Sequence, residues 1–207
     1  ITFSISGSDL ALTTDGVLSF VTAPDYETKS SYSATVTASD GDLSATQAIT
    51  VNVINLNDNA PVFTSNSSLS ADENQTSIAT VTASDADDSS LNFSVSGSEL
   101  LITDSGALSF VSAPDYETKS SYTATITVSD GVATASQNIT VSVNNLNDNP
   151  PVFTSSASFN AAENQTTIGT VTATDADGNT ISFSVSGSEL SLSSSGQLAF
   201  KATPDYE

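Results

Sequence analysis

The chain repeats itself every 90 residues. Residues 55–63 read NLNDNAPVF and residues 145–153 read NLNDNPPVF. The same offset relates Pro24-Asp25-Tyr26-Glu27 to Pro114-Asp115-Tyr116-Glu117 and to Pro204-Asp205-Tyr206-Glu207. It also relates Glu73-Asn74-Gln75 to Glu163-Asn164-Gln165, and Asp85-Ala86-Asp87 to Asp175-Ala176-Asp177. A fixed period of this length restricts the fold to an array of like units, each needing a core. The segments repeated most faithfully are short acidic loops that carry Asn. They preserve oxygen donors, the ligand chemistry of a hard metal ion.

Between these loops the pattern has a period of two. Tyr122-Thr-Ala124-Thr-Ile126-Thr-Val128 alternates large or apolar residues with Thr, as do Ile139-Thr-Val141-Ser-Val143 and Leu91-Asn-Phe93-Ser-Val95. Such alternation marks strands with one face in a core and one in solvent. Turn pairs such as Asp130-Gly131, Ser105-Gly106 and Asp177-Gly178 punctuate them, and no helical period is present. About seven short strands per 90 residues predict an all-β chain of tandem Greek-key β-sandwiches. In the central unit, 59–148, strand A is expected around 62–73, B at 78–84, C at 91–96, D at 100–103, E at 107–111, F at 121–129 and G at 136–145. Residues 1–58 read as a partial unit with strands C to G, and 149–207 as a partial unit with strands A to E. The chain is therefore expected to be a fragment of something longer, with incomplete ends that fray or complete themselves against a neighbour. The identical segments APDYETKSSY at 23–32 and 113–122 suit recent tandem duplication.

Composition narrows the function classes. The net charge is −21, with Lys29, Lys119 and Lys201 as the cations. Such a surface repels nucleic acid and anionic lipid, and attracts divalent cations. Solubility in salt is the plainer account of the acidity; the fixed loop positions favour cation binding. With no Cys there are no disulfides and no zinc–thiolate sites, and with no His the commonest general base is missing. No apolar run approaches the roughly 20 residues of a membrane span, so this segment inserts into no membrane itself.

Taken together, Glu73-Asn74, Asp115-Tyr116-Glu117, Asn147-Asp148-Asn149 with its following Pro, and Asp175-Ala176-Asp177 resemble the motif set of the cadherin repeat, in order and at a similar repeat length. The near-identical copies, Ser/Thr richness and lack of Cys are most similar to the cadherin-like repeats of large bacterial surface adhesins. The resemblance implies Ca²⁺ ligands wherever one repeat passes into the next. At the second passage these are Glu73, Asp115, Glu117, Asp148, Asp175 and Asp177, with Asn147 through its side chain and Asn149 through its backbone. At the first they are Asp25, Glu27, Asp58, Asp85 and Asp87, with Asn57 and Asn59, and Asp130 as a further ligand. Glu163 is the third copy of Glu73 and would serve a neighbour's Asp25, Glu27 and Asp58. Asn55 and Asn145 stand where the family's linker begins with Asp, which removes one anionic ligand each.

The expected function is a non-enzymatic, extracellular adhesion or spacer module, stiffened by Ca²⁺. Its implied partners are neighbouring repeats, like molecules on other cells, or surface glycans. The competing expectation is a Ca²⁺-dependent carbohydrate-binding module with Tyr26 and Tyr116 as its sugar platform. Paired carboxylates also serve glycosidases, but a catalytic pair seldom recurs every 90 residues.

Overall fold

A computed structural model describes residues 1–87 and 90–207. Its secondary structure is β throughout. The first repeat supplies β1 (Thr2–Ile5), β2 (Leu10–Leu12), β3 (Leu18–Phe20), β4 (Ser31–Ser39) and β5 (Ser44–Asn52). The central repeat supplies β6 (Val62–Phe63), β7 (Ser68–Asp72), β8 (Ser77–Thr80), β9 (Ala83–Ser84), β10 (Asn92–Val95), β11 (Leu100–Ile102), β12 (Ala107–Phe110), β13 (Ser121–Ser129) and β14 (Thr134–Asn144). The last supplies β15 (Val152–Phe153), β16 (Thr167–Thr170), β17 (Ala173–Thr174), β18 (Leu190–Leu192) and β19 (Gln197–Phe200). In the central repeat the expected A strand divides into β6 and β7 and the expected B strand into β8 and β9. The other five follow the expected order, so the repeat has the seven strands of a sandwich.

One sheet of the central repeat runs β10-β13-β14-β7 and another β11-β12-β8, with β6 pairing β9. The neighbours β10 and β13, β14 and β7, and β12 and β8 are not consecutive in sequence, which is the Greek-key crossover pattern. The pair β7–β14 is parallel, with Ser68 opposite Thr140 and Asp72 opposite Asn144. The first repeat shows β1-β4-β5 and β2-β3; the last shows β16-β19-β18 and β15-β17.

By packing, the chain falls into two compact units. Unit 1 comprises 1–67, 79–109 and 124–139; unit 2 comprises 68–78, 110–123 and 140–207. In unit 1 the buried core includes Leu10, Val81, Leu100, Leu108, Ile126, Val128 and Ile139. In unit 2 it includes Ala71, Phe110, Val141, Val143 and Leu198, and the Phe110 ring meets Tyr122 edge-on with centroids 4.9 Å apart. Alternate positions of β13 and β14 supply much of this core, as the period of two predicts. Gly106 holds φ +84°, and a Cβ there would lie 2.1 Å from the Val81 carbonyl oxygen. Only glycine lets the turn before β12 come that close.

Candidate metal centres

Two groups of carboxylates converge, one in each unit. In unit 1 they are Glu27, Asp58 and Asp87; in unit 2, Glu73, Glu117, Asp148 and Asp177. Within each group one oxygen from every residue lies within 4.8 Å of the others. The groups are related by the 90-residue offset, with Glu73 added to the second.

Local chain geometry explains the convergence. Asp115 caps a single helical turn: its carboxylate accepts from the Glu117 amide at 3.0 Å and the Thr118 hydroxyl at 2.7 Å, and its carbonyl accepts from the Lys119 amide at 2.8 Å. Asp25 repeats this with Glu27, Thr28 and Lys29. An Asp before a turn is a ready acceptor for the orphan amides there, so the Asp-x-Glu spacing fixes the turn that presents the Glu. Asp177 then gathers the Asn-Asp-Asn segment, accepting from the amides of Asp148 (3.1 Å) and Asn149 (2.8 Å) and from the Asn149 side chain (3.0 Å). Asp87 does the same for Asp58 and Asn59.

Glu73 is almost fully buried. Its two oxygens accept from the Tyr116 amide at 2.8 Å and the Leu146 amide at 2.7 Å. The next residue, Asn74, turns into the left-handed region at φ 63°, where Asn is tolerated better than most residues. Its amide donates to the Pro114 carbonyl at 2.9 Å, and its side chain to Asp148. The Glu-Asn pair is thus one device, a buried acceptor followed by a sharp turn. Glu163 accepts from the Tyr206 amide at 3.2 Å but is exposed.

In unit 1 a second set of oxygens stands beside the first group. Asn57 Oδ1, Asp85 Oδ2 and Asp130 Oδ2 are buried without a hydrogen-bond partner, and so is Asn55 Oδ1. Asn57 donates to the Asp130 carbonyl at 3.3 Å, which brings two of them together. The other Asp130 oxygen accepts from the Val132 and Ala133 amides at 2.7 and 2.6 Å. Buried oxygens without partners are rare, and an ion or a water would satisfy them. In unit 2, Asn147 is exposed, and Asp175 accepts from the Asn179 amide at 3.2 Å. Asp25, Asp115 and Asp175 lie outside the converging carboxylate groups.

Sequence reading missed the part played by two residues. Asn55 and Asn145, counted as lost anionic ligands, donate to the backbone carbonyls of Asp87 (3.3 Å) and Asp177 (3.0 Å). A carboxylate could not do this. Their recurrence at the 90-residue offset was the available signal.

The carboxylates perturb one another. Partial desolvation is the largest influence on Glu117, and with Asp115, Asp177 and Glu73 nearby its carboxyl is pushed up to about 7. Desolvation also leads in raising Glu27, helped by Asp87 and Asp25. Asp177 is held below the usual carboxylate range, first by the Asn149 side chain, and Asp87 first by the Asn59 amide. Hydrogen bonds from the linker thus keep one carboxylate of each group ionised while its neighbour is forced towards neutrality. Two unit charges 4 Å apart repel by about 1 kcal/mol in water and about 4 kcal/mol at an effective dielectric of 20. A divalent ion would reverse that sign, and these donors have the chemistry to chelate one.

A family model described as a bacterial Ig domain matches residues 57–142. Human Protocadherin-23 is 34% identical over 164 residues, 73% of this chain and 5% of its own length. Cadherin domains 3–6 of protocadherin gamma B2 superpose with a TM-score of 0.79 at 25% identity, covering 99% of this chain and 59% of that one. Domains EC22-24 of mouse cadherin-23 superpose with a TM-score of 0.72 at 25% identity, covering 100% and 77%. The fold and its acidic groups therefore define a segment of Ig-like domains of the cadherin superfamily. By that kinship it is an extracellular, cell-surface module of the adhesion kind. The chain spans 5% of the length of both Protocadherin-23 and the Neural-cadherin of Drosophila melanogaster.

Proposed function

We propose that this segment is a Ca²⁺-stiffened adhesion or spacer module made of the repeats 1–58, 59–148 and 149–207. Ca²⁺ binds where each repeat passes into the next. The observation that carries this reading is the pair of carboxylate groups 90 residues apart, the first accompanied by buried, unpartnered oxygens of Asn57, Asp85 and Asp130. Ca²⁺ takes about six to eight oxygens in flexible geometry, a demand that several loops meet together.

The second passage uses Glu73, Glu117, Asp148 and Asp177, with Asp175, Asn147 and the Asn149 carbonyl. The first uses Glu27, Asp58, Asp85, Asp87, Asn57, the Asn59 carbonyl and Asp130. Asp25 and Asp115 join through lone pairs that their turns leave unused. Without the ion the carboxylates repel and the passage loosens; with it the passage stiffens. Homophilic contact between like molecules is the adhesion that similar proteins suggest. Glycan binding finds less support, because a sugar platform needs open aromatic faces, and Tyr26 and Tyr116 are only 38% and 36% exposed.

Extracellular Ca²⁺ modules bind at about 10⁻⁴–10⁻³ M. Calorimetric titration should show saturable Ca²⁺ binding in that range, and small-angle scattering should show a more extended particle with the ion. Heats no different from those of NaCl at matched ionic strength would reject the reading. A glycan array that lights up in Ca²⁺ would favour the carbohydrate alternative.

A further inference from the structure

We infer that Asn66 is an attachment site for an N-linked oligosaccharide, selected from five candidate asparagines by the fold of the central repeat. Asn66 is no metal ligand, so the inference stands apart from the calcium reading.

The signal is a tripeptide, Asn-x-Ser or Asn-x-Thr with x not proline, which marks an acceptor in a chain exported from the cell. It occurs at Asn66, Asn74, Asn92, Asn138 and Asn164. A chain rich in Ser and Thr produces such tripeptides by chance, so the sequence does not choose among them. Geometry does. In transfer, the asparagine Nδ2 attacks C1 of a sugar carried on a lipid diphosphate. The C1–N bond forms, the C1–O bond breaks, and its electron pair leaves with the diphosphate. The amide proton passes to a base of the transferase. The hydroxyl two residues on must meet the amide, which a turning chain allows. In an extended strand the two residues stand about 6.6 Å apart along the chain, too far for that contact. A group already committed to a hydrogen bond must first give it up.

Four of the five are committed elsewhere. Asn74 donates its side chain to Asp148 and its backbone amide to the Pro114 carbonyl. Asn164 repeats the left-handed backbone, φ 61°, with its amide on the Pro204 carbonyl. Asn138 lies inside β14 and accepts from the Thr125 hydroxyl at 2.8 Å. Asn92 opens β10, and the hydroxyl of its tripeptide, Ser94, donates to the Thr127 carbonyl at 3.4 Å. Asn66 differs on each count. It is exposed, between the end of β6 and the start of β7, and the chain bends at Ser65 and Ser67. Neither its side chain nor the Ser68 hydroxyl has a hydrogen-bond partner among the described residues. The residue before it is the anchor. The Ser65 amide and hydroxyl donate to the Thr82 carbonyl at 3.2 and 3.4 Å, and that hydroxyl accepts from the Thr82 amide at 3.2 Å. A glycan on Asn66 therefore extends from a fixed point into solvent and displaces no hydrogen bond.

The test incubates the purified full chain with a single-subunit oligosaccharyltransferase and a lipid-diphosphate-linked oligosaccharide. Occupancy at each asparagine is followed over time by peptide mapping in a mass spectrometer. Synthetic peptides spanning the five tripeptides run alongside and report reactivity without the fold. All five peptides should react, whereas the folded chain should be modified first at Asn66. The other four should lag by about tenfold, the rate equivalent of one hydrogen bond given up before reaction. Asn66→Gln and Ser68→Ala should each abolish the first modification, and Asn66→Gln should leave the melting temperature unchanged. A folded chain without glycan at Asn66 would overturn the site, whatever the peptides do. Modification of any other asparagine at an equal or greater rate would overturn the selection by the fold.

Discussion

The two carboxylate groups are one loop constellation repeated 90 residues apart, with four carboxylates converging in unit 2 and three in unit 1. In unit 2 a strand, β7, runs into the group and ends in a buried Glu73 that ties two other segments together. In unit 1 Glu27, Asp58 and Asp87 converge among the described residues. The consequences reach beyond the site. In unit 2 the strand that leads into Glu73 also pairs with β14, where Val141 and Val143 are buried. Unit 1 differs in Asp130 and Asn57, each with a buried side-chain oxygen that accepts no hydrogen bond. Packing and ligand supply therefore belong to one device here.

The sharpest way to break this comparison is to remove Glu73. Glu73→Ala leaves the part-buried amides of Tyr116 and Leu146 without their charged acceptor, at a cost of about 2 kcal/mol by the usual cost of a lost charged acceptor. Glu163→Ala removes an exposed carboxylate and should change stability by less than about 0.5 kcal/mol. Chemical denaturation of both variants in EDTA checks the pair. Equal losses would show that burial of Glu73 does not distinguish the copies. Next in size is the ion. At tenfold excess over Kd each Ca²⁺ site adds about 1.4 kcal/mol, and thermal melts should show it. Mg²⁺ should add much less at equal concentration, because it dehydrates reluctantly and demands octahedral geometry. Equal shifts with both ions would reduce the effect to charge screening. Glu117→Ala should weaken calorimetric Ca²⁺ binding and Glu99→Ala should not; matching isotherms would remove Glu117 from the site.

Particular residues show what a sequence can carry. The alternation of 121–129 is so regular that β13 matches its expected bounds at both ends. Periodicity is a local signal, and a half-buried antiparallel strand obeys it. Strand A was expected as one piece because its residues give no sign of where it changes partner. That change divides it into β6, paired with β9, and β7, paired in parallel with β14. Pairing of this kind is a tertiary choice. The acidic motifs pointed to loops that do converge, since 90-residue recurrence of oxygen donors survives without any knowledge of geometry. The detail inside them was not legible. Asp25 and Asp115 look like plain ligands in sequence, yet both cap the turn that presents the neighbouring Glu. Asn55 and Asn145 look like deficient ligands, yet their amides strap the linker to the Asp-x-Asp loop.

The pH dependence of the metal-free protein offers a finer test. Glu117 is raised to about 7 in the folded chain, above its ordinary value of 4.5. The folded state then holds a proton that the unfolded state releases, so this contribution is present below pH 4.5 and is lost as pH rises towards 7. Glu27 is raised in the same sense. The lowered Asp87, Asp115 and Asp177 act oppositely, but below pH 3.8, outside that window. Melting temperature in EDTA should therefore fall between pH 5 and pH 7.5, by our reading of about one proton per raised group, and Glu117→Gln should flatten the fall. With Ca²⁺ the trend reverses, because the ion competes with that proton. A melting temperature that rises through this range in EDTA would contradict the assignment.

The smallest expected effect separates strap from ligand at Asn145. Its side chain donates to the Asp177 carbonyl at 3.0 Å, and an Asp there would exchange that donor for a fifth negative charge beside Glu73, Glu117, Asp148 and Asp177. In EDTA the Asn145→Asp variant should lose about 1 kcal/mol, the worth of one hydrogen bond, with added repulsion in the same direction. In Ca²⁺ the new carboxylate becomes a ligand, so the deficit should shrink or change sign, with calorimetry reading tighter binding or an additional ion. The equivalent Asn55→Asp change meets only three converging carboxylates, and its loss in EDTA should be smaller. If both variants lose equally in EDTA and neither gains in Ca²⁺, the amide is a strap alone, and the linker's first position contributes nothing to the ion.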